Sequence, residues 1–181
     1  MTFQQHKELA SISDEFQTLF GQLNQDQLNW KANAETWSIA QNIDHIIRIN
    51  ESYYPLIEDL KAGKREKPLL ARIPFFVKLF GNLIYKSVQP DNPKKVKTLG
   101  IWKPTNSDFS VDIVQKLIDH NVVFADLISS CKPLIEEGVI VSSPANKNIV
   151  YKLEKAFEIL ISHERRHLEQ ARGVLLLMPS K

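Results

Sequence analysis

Cysteine is nearly missing from this chain: Cys131 is the only one in 181 residues. No internal disulfide can form, so a reducing cytoplasm is the expected compartment. A zinc site built from several thiolates is excluded by the same count, and any metal must rest on histidines and carboxylates. Long hydrophobic runs are missing too. None approaches the ~20 apolar residues needed to cross a bilayer, so no membrane span is expected. The opening Met1-Thr2-Phe3-Gln4-Gln5-His6-Lys7 has no apolar core of a secretory signal. A hydrophobic content of 43% and a charged content of 24% fit one ordinary globular domain over residues 1–181.

The formal net charge of +2 conceals a segregation. Between Lys61 and Pro104 eleven Lys and Arg residues face two acids, Glu66 and Asp91, and the remainder is net acidic. Such a local excess points to an anion-facing surface or to a solvated basic extension. Lys94, Lys95 and Lys97 are the cations expected to attract an anionic small-molecule substrate. Nucleic acid is not an expected partner, because the basic residues are confined to one stretch and no recognition helix or stacking motif accompanies them.

Apolar spacing of three and four predicts a first helix from about Phe3 to Leu23. Trp37-Ser38-Ile39-Ala40-Gln41 then reads as a helix start, with Ser38 as cap, Gln41 closing a capping box and Trp37 as hydrophobic anchor. The second helix is expected to run to about Leu60, with His45 at the edge of its apolar stripe; periodicity alone makes His45 a partly exposed residue. An irregular, proline-rich insertion of about 61–107 follows, holding a short amphipathic helix that starts at Pro74. Its face of Phe75, Phe76, Leu79, Phe80, Leu83 and Ile84 suits packing onto the domain, with a membrane surface or a lid as alternatives. A third helix is expected from near Asp108 or Ser110 to Ser130, with Val122 inside and His120 exposed. Val139-Ile140-Val141 has no convincing partner strand. The fourth helix is expected from about Asn148 to Leu177. Four long amphipathic helices and no sheet predict an all-α four-helix bundle.

The fourth helix carries Ser162-His163-Glu164-Arg165-Arg166-His167-Leu168-Glu169-Gln170. Histidines four apart project from one helical face and suit a single metal ion. His163, His167 and Glu164 all fall on the apolar side with Leu153, Ala156, Leu160, Ala171 and Val174. A shared metal site and a pair of buried structural histidines both remain open from this segment alone. The string is literally H-E-x-x-H, yet it lacks protease context. Gln170 and Gly173 stand where an extended zinc-protease motif needs Gly and His, and the fourteen residues after His167 supply no inward acid.

Trp37-Ser38-Ile39-Ala40-Gln41-Asn42-Ile43-Asp44-His45, followed far downstream by His163-x-x-x-His167-Leu168-Glu169-Gln170, resembles the DinB-like superfamily of four-helix metal proteins, which includes YfiT-like members. The likeness extends over about residues 3–60 and 108–177 and includes Leu28-x-Trp30; the insertion lies outside its guidance. The resemblance implies that His45 joins His163 and His167 as ligands of a divalent ion. Zinc and nickel both suit imidazole. Three imidazoles would leave open positions for water or substrate. The implied activity is that of a metal-dependent enzyme activating a thiol or water, of thiol S-transferase or hydrolase type. Glu164 is then the candidate general base, with an ion pair as its alternative, and Gln170 the candidate for orienting a ligand or substrate. A non-catalytic metal-binding bundle serving as a stress-related binding or scaffold protein is the alternative reading. The resemblance also allows a homodimer, for which the face from Phe75 to Ile84 is the candidate interface.

Overall fold

A computed structural model of the chain describes residues 2–64, 68–92 and 98–179. Lys94, Lys95 and Lys97 lie outside the described residues. In chain order the elements are α1 (Thr2–Phe20), α2 (Gln25–Asn29), α3 (Ile39–Glu51), α4 (Tyr54–Lys61), α5 (Pro74–Ser87), α6 (Ile113–Ser130), α7 (Lys132–Glu136), β1 (Ile140–Ser143), β2 (Asn146–Lys152) and α8 (Leu153–Leu177). Short 3-10 turns at Leu69–Arg72 and Gly100–Trp102 punctuate the insertion.

The four long helices form the bundle. Helix α1 packs on α6 and α8, and α3 packs on the same two, so α6 and α8 each lie between α1 and α3. Their apolar stripes meet in one core containing Leu9, Ile12, Phe16, Ile43, Ile46, Leu117, Phe124, Phe157, Leu160 and Leu168. Among the described residues no helix is long and apolar enough to cross a membrane.

Five expectations need correction. The second helix is interrupted at Ser52-Tyr53 and resumes as α4 with a proline in its first turn; Pro55 has no N–H to offer the carbonyl one turn back. Val139-Ile140-Val141 does have a partner: β1 pairs antiparallel with β2, Val141 opposite Tyr151. Ile149-Val150-Tyr151 is therefore strand, as its β-branched and aromatic side chains favour, and α8 starts at Leu153 rather than near Asn148. On α6, which starts at Ile113, the buried arc is Ile113, Val114, Leu117, Asn121, Phe124 and Ile128, while Val122 is exposed. That rotation leaves His120 half-buried, against the expectation of a solvent-exposed ring: it stacks on Tyr54 and Phe124 at 6.0 and 6.1 Å between ring centres.

Helix α5 packs on β2 and α8 as expected of an amphipathic helix in the insertion. The later part of the insertion straps across α3. Arg48 Nη2 donates to the Ile101 carbonyl at 3.1 Å, and Trp102 Nε1 to Ser52 Oγ at 3.2 Å. The Thr105 N–H reaches Asp44 at 2.9 Å, and Gln41 Nε2 donates to the Asn106 carbonyl at 3.1 Å.

Candidate metal centre

Helix α3 begins on a complete capping box. Ser38 Oγ accepts from the Gln41 N–H at 3.1 Å, while Gln41 Oε1 accepts from the Ser38 N–H at 3.2 Å. This fixes the first turn and with it Asn42 and His45, one and two turns inside the helix. Trp37, just ahead of the cap, lies edge-on to the His45 ring at 4.7 Å and stacks on His167 at 5.8 Å.

His45 of α3 meets His163 and His167 of α8, each ring offering one nitrogen, and these nitrogens all lie within 4.8 Å of one another. His163 Nε2 and His167 Nε2 are 3.1 Å apart. Two nitrogens bound tetrahedrally to one ion at ~2.0–2.1 Å stand roughly 3.3 Å from each other, so the pair already has the spacing of a chelate.

The partners on the far side of two rings decide which nitrogen faces inward. His45 Nδ1 donates to the Trp102 carbonyl at 2.6 Å, since a carbonyl can only accept. His167 Nδ1 donates to Asn42 Oδ1 at 2.7 Å, and the Asn42 amide is oriented in turn by Nδ2 donating to the Ser38 carbonyl at 2.9 Å. Both neutral rings thereby carry their proton on Nδ1 and keep the Nε2 lone pair free for an ion.

Burial pushes the His45 pKa down to about 4, against the pull of the Trp102 carbonyl. It holds His163 and His167 well below the usual histidine range, with neighbouring imidazoles and Arg166 adding to the effect. Near pH 7 the three rings are neutral, the state a divalent cation requires of its ligands. The donor set, tautomers and spacing fit a divalent ion; three imidazoles suit zinc and nickel alike.

Glu164 is fully buried but turns to other partners. Asn50 Nδ2 donates to its Oε1 at 2.7 Å and Asn121 Nδ2 to its Oε2 at 3.1 Å. Burial raises its pKa to about 7, opposed by those two amides. Its partners are thus amides of α3 and α6 rather than a cation, and it is not one of the three clustered donors. Gln170 is exposed on α8.

Periodicity missed the burial of His45, and no reading of the chain assigned roles to Asn42 or to the Trp102 carbonyl. Asn42 sits within the Trp37-to-His45 motif, one turn before His45, and that position was the available signal. A backbone carbonyl leaves no mark in residue identity.

A family model described as the DinB superfamily matches residues 8–171. No curated protein and no solved structure matches the chain.

Proposed function

The chain belongs to the DinB superfamily, and from that premise we propose that it is a metal-dependent enzyme whose divalent ion is held by His45, His163 and His167. The observation that carries the reading is the convergence of three neutral imidazoles from two helices, two of them tautomerically fixed by Trp102 and Asn42. A divalent ion held there supplies Lewis acidity that makes a thiol or water an effective nucleophile near neutral pH. The activity that follows is transfer to a thiol or hydrolysis of a small, anionic or thiol-containing substrate.

Within this reading the residues divide the work. Trp37 covers the rings and limits water on that side. Asn42 and the Trp102 carbonyl hold the two imidazole protons outward. Glu164 is a positioning residue, tying α8 to α3 and α6 through Asn50 and Asn121, so that the ligands keep their places.

A second reading, a metal-stapled bundle without catalysis, draws support from the burial of His45 and His167. Elemental analysis of untagged protein purified without added metal tests the first step. Stoichiometric zinc or nickel is expected in wild type and loss of it in His45→Ala; metal-free protein at every stage overturns the centre. Chelation then separates the readings: an intact fold that loses thiol transfer or hydrolysis supports the enzyme, and collapse of a protein inert toward all electrophiles supports the staple.

A further inference from the structure

Helix α5 presents two faces, and the chain uses one of them. Val77 and Gly81 are buried against β2 and α8. A Cβ placed on Gly81 would lie 3.0 Å from Lys155 Cγ and 3.3 Å from Tyr151 Cβ, so the helix sits close against its support. Lys155 Nζ adds a contact 4.6 Å above the Tyr85 ring. This docking fixes which side is turned away. There Phe75 and Leu83, two turns apart, are 66% and 55% exposed, with the half-buried Leu79 between them. Lys78, Asn82 and Lys86 form an exposed row beside that ridge. The preceding turn continues the pattern, with Leu69 76% exposed and Ile73 and Arg72 also exposed. From Pro68 to Pro90 the sequence contains no Asp or Glu.

We propose that this outer face of α5, with the Leu69–Ile73 turn before it, docks the protein on the surface of an anionic lipid bilayer. Apolar side chains along one ridge and cations beside it are what an interfacial helix needs: the ridge enters the acyl boundary while the lysines reach the headgroups. The sign of the charge complements acidic lipid. A lid closing on this domain is not available, because the opposite face of the helix is already packed. A second copy of the chain is a poorer occupant. Self-complementary contact would bring the cations Arg72, Lys78 and Lys86 of one copy against the same cationic face of the other, with no acid between residues 68 and 90 to neutralise them.

Co-sedimentation of the full chain with vesicles tests the proposal. Vesicles of phosphatidylcholine alone are compared with vesicles containing about one third phosphatidylglycerol, at low salt and at about 0.5 M salt. Wild type is expected to pellet with the anionic vesicles, weakly with the neutral ones, and less as salt rises. The doubles Phe75→Ser/Leu83→Ser and Lys78→Glu/Lys86→Glu each reduce the partition coefficient about tenfold or more, with the unfolding transition and metal content unchanged. Wild type left in the supernatant, or either double binding like wild type, overturns it. So does a wild-type dimer in sedimentation velocity that Phe75→Ser/Leu83→Ser splits, since the face would then belong to a second copy.

Discussion

Asn42 holds two hydrogen bonds that depend on each other. Its Nδ2 is committed to the Ser38 carbonyl, so its Oδ1 is the atom presented to His167 Nδ1. Asn42→Ala removes the acceptor that keeps the His167 proton on Nδ1, and the ring becomes free to protonate Nε2, the nitrogen facing His163. Loss of such an outer partner costs about 10–100-fold in metal affinity. Competition against a chromophoric chelator, on wild type and Asn42→Ala in parallel, measures it; equal affinities would show that Asn42 does not govern the ring. The i, i+4 pair His163 and His167 was legible in the sequence because helical spacing alone sets both on one face. His45 was not. It is 2% exposed because the Gly100–Trp102 turn, more than fifty residues downstream, covers the flank on which it lies. Local periodicity carries no information about that cover, and only the likeness to a family supplied the assignment.

Among the elements, those with punctuation in side-chain chemistry were readable. Ser38 and Gln41 announced the start of α3, and Pro74 the start of α5. The hairpin was not readable, because Asn146–Lys152 is one short strand whose neighbour supplies only four residues, and helical spacing extrapolated backward from α8 absorbs it. The capping box also separates two effects that converge on the metal centre. Ser38→Ala deletes the Oγ that accepts from Gln41 but leaves the Ser38 carbonyl that orients Asn42. The expected result is a loss of about 1 kcal/mol of stability in urea unfolding, with metal affinity far less affected than in Asn42→Ala. An equal loss of affinity in both variants would mean that the whole first turn of α3, rather than the Asn42 amide, positions His167.

For the molecule as a whole, the bundle is tied through its interior by polar side chains from all four long helices. Asn50 of α3 and Asn121 of α6 both donate to Glu164 of α8, and Asn121 Nδ2 also reaches Ser13 Oγ of α1 at 3.1 Å. His120 of α6 joins through its Nε2, which accepts from Asn50 Nδ2 at 3.2 Å. The four amphipathic stripes announced the bundle, and Glu164 falls on the inward side of its helix, but which amide meets that carboxylate depends on helix rotation and could not be read. This seam makes stability respond to acid. Burial lowers the His120 pKa to about 4 in the folded chain, against an unfolded value near 6.5. Between those values the unfolded chain binds the extra proton, so the ring's contribution is fully present above about pH 6.5 and is lost as pH falls toward about 4. The gap corresponds to roughly 3 kcal/mol. Asp44, Glu51, Asp119 and Lys116 line the groove beside His120, and Glu164 lies across Asn50, but the cause of the lowered value is burial of the ring. His45, His163 and His167 respond in the same direction, but wild type and His120→Gln share them, and the difference between the two curves isolates position 120. Urea unfolding of both proteins, chelator-treated and measured from pH 7 to pH 4.5, should give the flatter profile for His120→Gln. Parallel profiles would mean that His120 titrates as freely in the fold as in the unfolded chain, and that acid acts on the bundle through its other buried groups.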